Sequence, residues 1–107
     1  MYRLRFFDDY GSGWLWPGDE VTRQTFDVGP LDAVLAHRLS PATRAEAETL
    51  SALHARTLNW DEPQTPLPLT AAFCRDFNAR SAALLRQMQA ELGADFTLAD
   101  ERMILTP

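Results

Sequence analysis

The sequence predicts an α+β protein: two long antiparallel helices plus a short helix packed with a small antiparallel sheet. Three observations predict it. An alternating aromatic strand opens the chain, two well-capped helical stretches follow, and a proline-rich joint separates them. A length of 107 residues fits a single domain, residues 1–107, with one modest core. Hydrophobic residues make up 46% and charged residues 23%, which excludes a disordered, collagen-like or disulfide-built chain.

The elements follow in order. Tyr2, Leu4 and Phe6 alternate with Arg3, Arg5 and Phe7, the period of a strand with one buried face. Turn residues Asp8 to Gly13 break it, and Trp14-Leu15-Trp16 can pair back as a hairpin. Asp19 caps a short helix over Glu20–Phe26, with Val21 and Phe26 as core anchors. Residues 31–38 supply another helical turn. Ser40-Pro41 starts a helix that runs to about Leu58. Pro63, Pro66 and Pro68 stiffen the joint, and Thr70 caps the longest helix, about 70–92, whose Phe73, Phe77, Leu84, Met88 and Leu92 form an apolar stripe. Gly93 stops it. Residues 95–105 contain two strand-like runs that either join the N-terminal hairpin or pair with each other.

The net charge of -5 argues against nucleic acid as a partner, because affinity for phosphate backbones needs clustered cations. No run of apolar residues is long enough to cross a membrane. Residues 1–9 turn acidic before a signal-type apolar region forms, so a cytoplasmic setting is expected. Cys74 is the only cysteine; it allows no internal disulfide and sits in an apolar helical stretch, as a small buried hydrophobe does. His37 and His54 lack metal-ligand spacing, and His54 reads as a hydrogen-bonded structural histidine. Gly11-Ser12-Gly13 lacks the lysine and the spacing of a phosphate loop, and no nucleophile elbow is present. No cofactor and no metal are expected.

The charge is concentrated. Residues 8–32 hold the acids Asp8, Asp9, Asp19, Glu20, Asp27 and Asp32 against the single base Arg23, so this stretch carries the whole formal charge of -5. It also holds Tyr10, Trp14 and Trp16. Carboxylates among aromatics suit a surface that meets a basic protein: aromatics supply interface energy, and charge steers the encounter. Trp60 and Asp61, past the end of the second helix, read either as a clasp folded back on the core or as a surface site. The candidate partner-binding residues are therefore Asp8, Asp9, Tyr10, Trp14, Trp16, Asp19, Glu20, Trp60 and Asp61.

Phe6-Phe7-Asp8, Leu15-Trp16-Pro17-Gly18-Asp19, Leu39-Ser40-Pro41 and Thr57-Leu58-Asn59-Trp60-Asp61-Glu62-Pro63 together resemble a family of small uncharacterised bacterial proteins with a Leu-Asn-Trp-Asp-x-Pro segment after the first long helix. The resemblance spans roughly residues 6 to 63. It implies a bacterial, cytosolic, stand-alone protein and carries no catalytic residue onto this chain.

The leading functional expectation is a non-enzymatic protein-binding module, in concrete form an acidic immunity or inhibitor protein that covers a basic active site. One alternative is a small metal-dependent hydrolase using Asp8, Asp9, Asp19 and Glu20 with His54; it requires these groups to converge in one pocket. Another is a homodimer of structural role that buries the aromatics against its own copy.

Overall fold

In the computed structural model, which describes residues 1–107, β1 (Tyr2–Phe6) is flanked by β2 (Leu15–Pro17) and β3 (Phe96–Asp100), in the order β2-β1-β3. β2 pairs antiparallel with β1, Phe6 opposite Leu15. β3 pairs parallel with β1, Tyr2 opposite Phe96 and Phe6 opposite Asp100. The sheet is therefore mixed, which corrects the antiparallel expectation. Parallel strands need a long crossover, and all the helices lie between β1 and β3. Residues 102–105 form no strand and run along a helix instead.

The period-two pattern orients the sheet as expected. Leu4 and Phe6 are buried, while Arg3 and Arg5 are exposed. The other face carries a stack of Arg5 over Phe7 and of Phe7 on Trp16, with ring centroids 5.2 Å apart for the two aromatics.

Helix α1 (Glu20–Thr25) starts at Asp19, whose carboxylate accepts from the Thr22 amide at 2.9 Å. Val21 does not anchor it: that side chain is 59% exposed. Thr22 is the buried residue, because its hydroxyl accepts from the Arg3 amide and donates to Asp19. Phe26 is half-buried, edge-on to Tyr2. A single 3₁₀ turn, Ala36–Arg38, stands in residues 31–38.

Helix α2 (Pro41–Ala55) begins at Ser40, whose Oγ accepts from the Thr43 amide. It ends three residues before Leu58, where Thr57 folds its amide and hydroxyl onto the His54 carbonyl and Trp60 Nε1 donates to the Ala55 carbonyl at 2.8 Å. These bonds satisfy carbonyls that a longer helix would have used internally. Helix α3 (Ala71–Leu92) is capped by Thr70 and stops at Gly93, whose φ of 83° suits glycine. Thr43, early in α2, bonds Glu91, late in α3; Arg80, midway along α3, pairs with Glu46 at 2.7 Å. One core of 14 buried residues joins the sheet to both helices, including Phe6, Trp14, Leu50, Phe77, Leu84, Met88 and Phe96.

Candidate functional site

Strand β1 ends at Phe6, and the next carboxylate, Asp8, turns inward. Adjacent strand-end residues point to opposite sides, so Asp9 is exposed while Asp8 is only 2% exposed. Asp8 Oδ2 accepts from the Gly11 amide at 2.8 Å, and Oδ1 accepts from the Gly13 amide at 3.1 Å. From α2, the Ser51 hydroxyl donates to Oδ1, and His54 Nδ1 lies 2.8 Å from Oδ2. Burial pushes the Asp8 carboxyl up, but the bonds from His54, Ser51 and the two amides outweigh it and hold the group below its ordinary value. A carboxylate only accepts, so His54 Nδ1 carries the proton. His54 Nε2 is buried without a partner, between the rings of Tyr10, stacked at 4.5 Å, and Phe77 at 5.6 Å.

This hub shapes the loop around it. Tyr10 has a φ of 48°, and Gly11 and Gly13 also have positive φ. A non-glycine residue there is strained, and the bonds to Asp8 together with the Tyr10–His54 stack over-determine the conformation. A second carboxylate, Asp32, closes the loop from the other side. It accepts from the Trp14 amide with both oxygens at 3.0 Å and from the Leu15 amide at 2.9 Å. Burial pushes Asp32 up, only partly offset by the amides of Leu15 and Trp14, and the charge of Asp8 adds to the rise. Between this loop, the 31–36 segment and α2 lies a cleft of about 600 Å³.

The structure divides the residues singled out from the sequence. Asp8 and Trp14 are interior and do not reach the surface expected of them; Trp14 is 2% exposed, stacks on Phe6 and donates Nε1 to the Ala47 carbonyl. Tyr10 is half-buried on the cleft wall. Trp60 is 64% exposed: it caps α2 but does not cover the core, so the clasp reading holds only for its indole N–H. Asp61 is exposed beside it. The 8–13 loop and the Trp60 turn converge at Ala55, which Gly11 approaches and Trp60 bonds. Trp16, Asp19 and Glu20 sit by the sheet and α1: Trp16 donates Nε1 to the Phe7 carbonyl, Asp19 caps α1, and Glu20 pairs with Arg23. Of the groups the hydrolase alternative brings together, Asp8 and His54 do meet, but in the interior, while Asp19 is engaged by Thr22 at the start of α1; no group of three His, Cys, Asp or Glu side chains is placed to hold a metal ion.

Ser51 escaped the sequence reading, and Asp32 entered it only as a charge. The pattern Asp8-x-x-Gly11-x-Gly13 and the Ser51/His54 pair three apart beside Leu50 are the signals that could have found this hub.

The fold thus defines a small α+β protein in which two carboxylates, Asp8 and Asp32, bind the amides that shape the chain after β1. A family model described as Serratia CdiI immunity protein-like matches residues 2–99. The chain belongs to that family. The family is one of immunity proteins, which implies a protein partner, a toxin. A comparison with curated proteins found no match. No helix is long and apolar enough to cross a membrane.

Proposed function

We propose that this chain is a non-enzymatic, cytoplasmic immunity protein that neutralises a basic protein toxin by covering it with an acidic surface made by the 8–13 loop and the Trp60 turn. Asp9, Tyr10, Trp60 and Asp61 form the centre of that surface, and Trp16, Asp19 and Glu20 extend it along the sheet edge. One observation carries the reading: Trp60 keeps 64% of its surface in solvent although its N–H is fixed on α2, so a pre-positioned indole stands beside Asp61 and near the rigid loop that bears Asp9. A pre-positioned aromatic loses little entropy on docking, and flanking carboxylates steer a basic partner.

The test is binding between this protein and a candidate toxin domain from a neighbouring gene, by calorimetry, with protection of growing cells as the second readout. Asp9→Lys with Asp61→Lys is expected to slow association and to steepen with falling salt, and Trp60→Ala to weaken binding about tenfold or more. Unchanged binding by all three substitutions, with unchanged circular dichroism, would overturn the assignment.

A further inference from the structure

The cleft behind Tyr10 has walls of small side chains. Ala47, Ala52 and Ala55 of α2 face Ala33 and Ala36 across a space of about 600 Å³. Asp32 lines the same space. Its carboxylate is fixed by three amide contacts, and no Arg or His lies within ion-pair distance of it. Gly13 is pressed against it: a Cβ there would come within 2.9 Å of Asp32 Oδ1, at a φ of +140° that side chains rarely adopt. The loop therefore needs glycine to admit this carboxylate. Two amide donors, Trp14 and Leu15, leave lone pairs of the two oxygens free. Glu48 adds a second acid to the lining, and Asp8 lies under the floor behind Gly11 and Gly13. The one cation in the lining, Arg44, donates to the Ala36 carbonyl at 3.4 Å instead of pairing with Asp32.

A half-buried carboxylate with no counter-ion, fixed beside an open space, carries a desolvation cost in the free protein. A cation delivered into that space removes the cost. We infer that this cleft receives an arginine or lysine side chain from a basic loop of the protein partner, with Asp32 as its counter-charge and the alanine walls accepting the aliphatic stem. The inference rests on the immunity reading and adds a specific receptor to it. Tyr10, common to the cleft wall and the proposed docking surface, makes the two continuous. The alanines suit a long thin side chain: they lack polar atoms to satisfy and leave room along the stem.

Argininamide is the probe, with citrullinamide as its uncharged counterpart, followed through backbone amide resonances. Argininamide is expected to shift Gly13, Trp14, Leu15 and Ala33, and citrullinamide to leave them in place. Ala52→Trp fills the cleft while leaving residue 32 an aspartate and should abolish the shifts; Asp32→Asn, checked for folding by circular dichroism, should do the same. Shifts spread over exposed acids such as Asp61 and Asp76, or equal shifts with citrullinamide, would overturn the inference. With the toxin domain, Ala52→Trp is expected to weaken binding about 30-fold or more. If the toxin binds the wild type and Ala52→Trp equally, the cleft is not the receptor while the immunity reading stands. If the toxin binds neither, the immunity reading falls and the argininamide titration alone decides for or against the cleft.

Discussion

Asp8 and His54 meet at 2.8 Å in the interior although 46 positions separate them in the chain, and this contact fastens the loop after β1 to the last turn of α2. Both side chains are almost wholly shielded from solvent, at 0% and 2% exposure. The consequence is a loop whose outward residues, Asp9 and Tyr10, are held by an inward one.

Asp8→Ala removes the acceptor for four donors: the amides of Gly11 and Gly13, the Ser51 hydroxyl and His54 Nδ1. Removing one partner of a buried charged network costs about 3–5 kcal/mol, a large part of the stability of a protein this size. Asp9→Ala, one residue along and exposed, is expected to stay within about 0.5 kcal/mol. Urea midpoints of the two variants check the contrast.

The same carboxyl sets a pH dependence. Its folded pKa lies below 3.8, so Asp8 contributes stability that is present above 3.8 and is lost as pH falls through the lower folded value. Asp32 has the opposite sign: its folded pKa lies above 3.8, so its contribution is favourable below 3.8 and is lost as pH rises through the folded value. Asp8→Asn should therefore flatten the loss of stability at the acid end, and Asp32→Asn should flatten the loss on the way to neutral pH. Urea unfolding of both variants and the wild type, from pH 6 down to about pH 3, distinguishes the two slopes.

What the sequence made legible was local. The Tyr2–Phe6 alternation and the caps at Asp19, Ser40 and Thr70 each depend on residues within a few positions, and all four stand in the structure. The parallel pairing of β3 with β1 was not legible, since it joins Tyr2 to Phe96 across every helix. The acidic stretch faces outward only in part, because composition carries charge without direction. Asp8 and Asp32 face backbone amides of the loop and of the start of β2, and amide donors that ionised carboxylates can satisfy have no marker in composition. The burial of Trp14 is equally non-local: its stacking on Phe6 depends on β2 folding back along β1.

Asn78 ties the C-terminal tail to α3 at Leu105. Asn78 of α3 donates Nδ2 to the Leu105 carbonyl and accepts the Leu105 amide at Oδ1, both at 2.9 Å. Arg102 adds bonds to the Asn78 carbonyl and the Ser81 hydroxyl. Asn78→Ala is expected to release residues 103–107, with the Leu105 amide exchanging near the rate of an unstructured chain and a global cost of about 1–2 kcal/mol. Amide hydrogen exchange reads the first and thermal unfolding the second.

The three tryptophans should behave as three different residues. Trp14→Ala empties a buried indole site against Phe6 and Phe77 and orphans its bond to Ala47, so it is expected to cost about 3–5 kcal/mol. Trp16 is half-buried, stacked on Phe7 with Nε1 on the Phe7 carbonyl, and Trp16→Ala falls between the extremes at about 1–3 kcal/mol. Trp60→Ala loses one helix-end bond at an exposed site and should cost about 1 kcal/mol or less. The three rings also differ in access to a collisional quencher. Acrylamide should reach Trp60 freely and Trp14 hardly at all, so Trp60→Phe is expected to remove most of the readily quenched emission. If Trp14→Phe removed it instead, the loop hub would not hold that ring inside, and the surface built on Asp9 and Tyr10 would lose its rigid support.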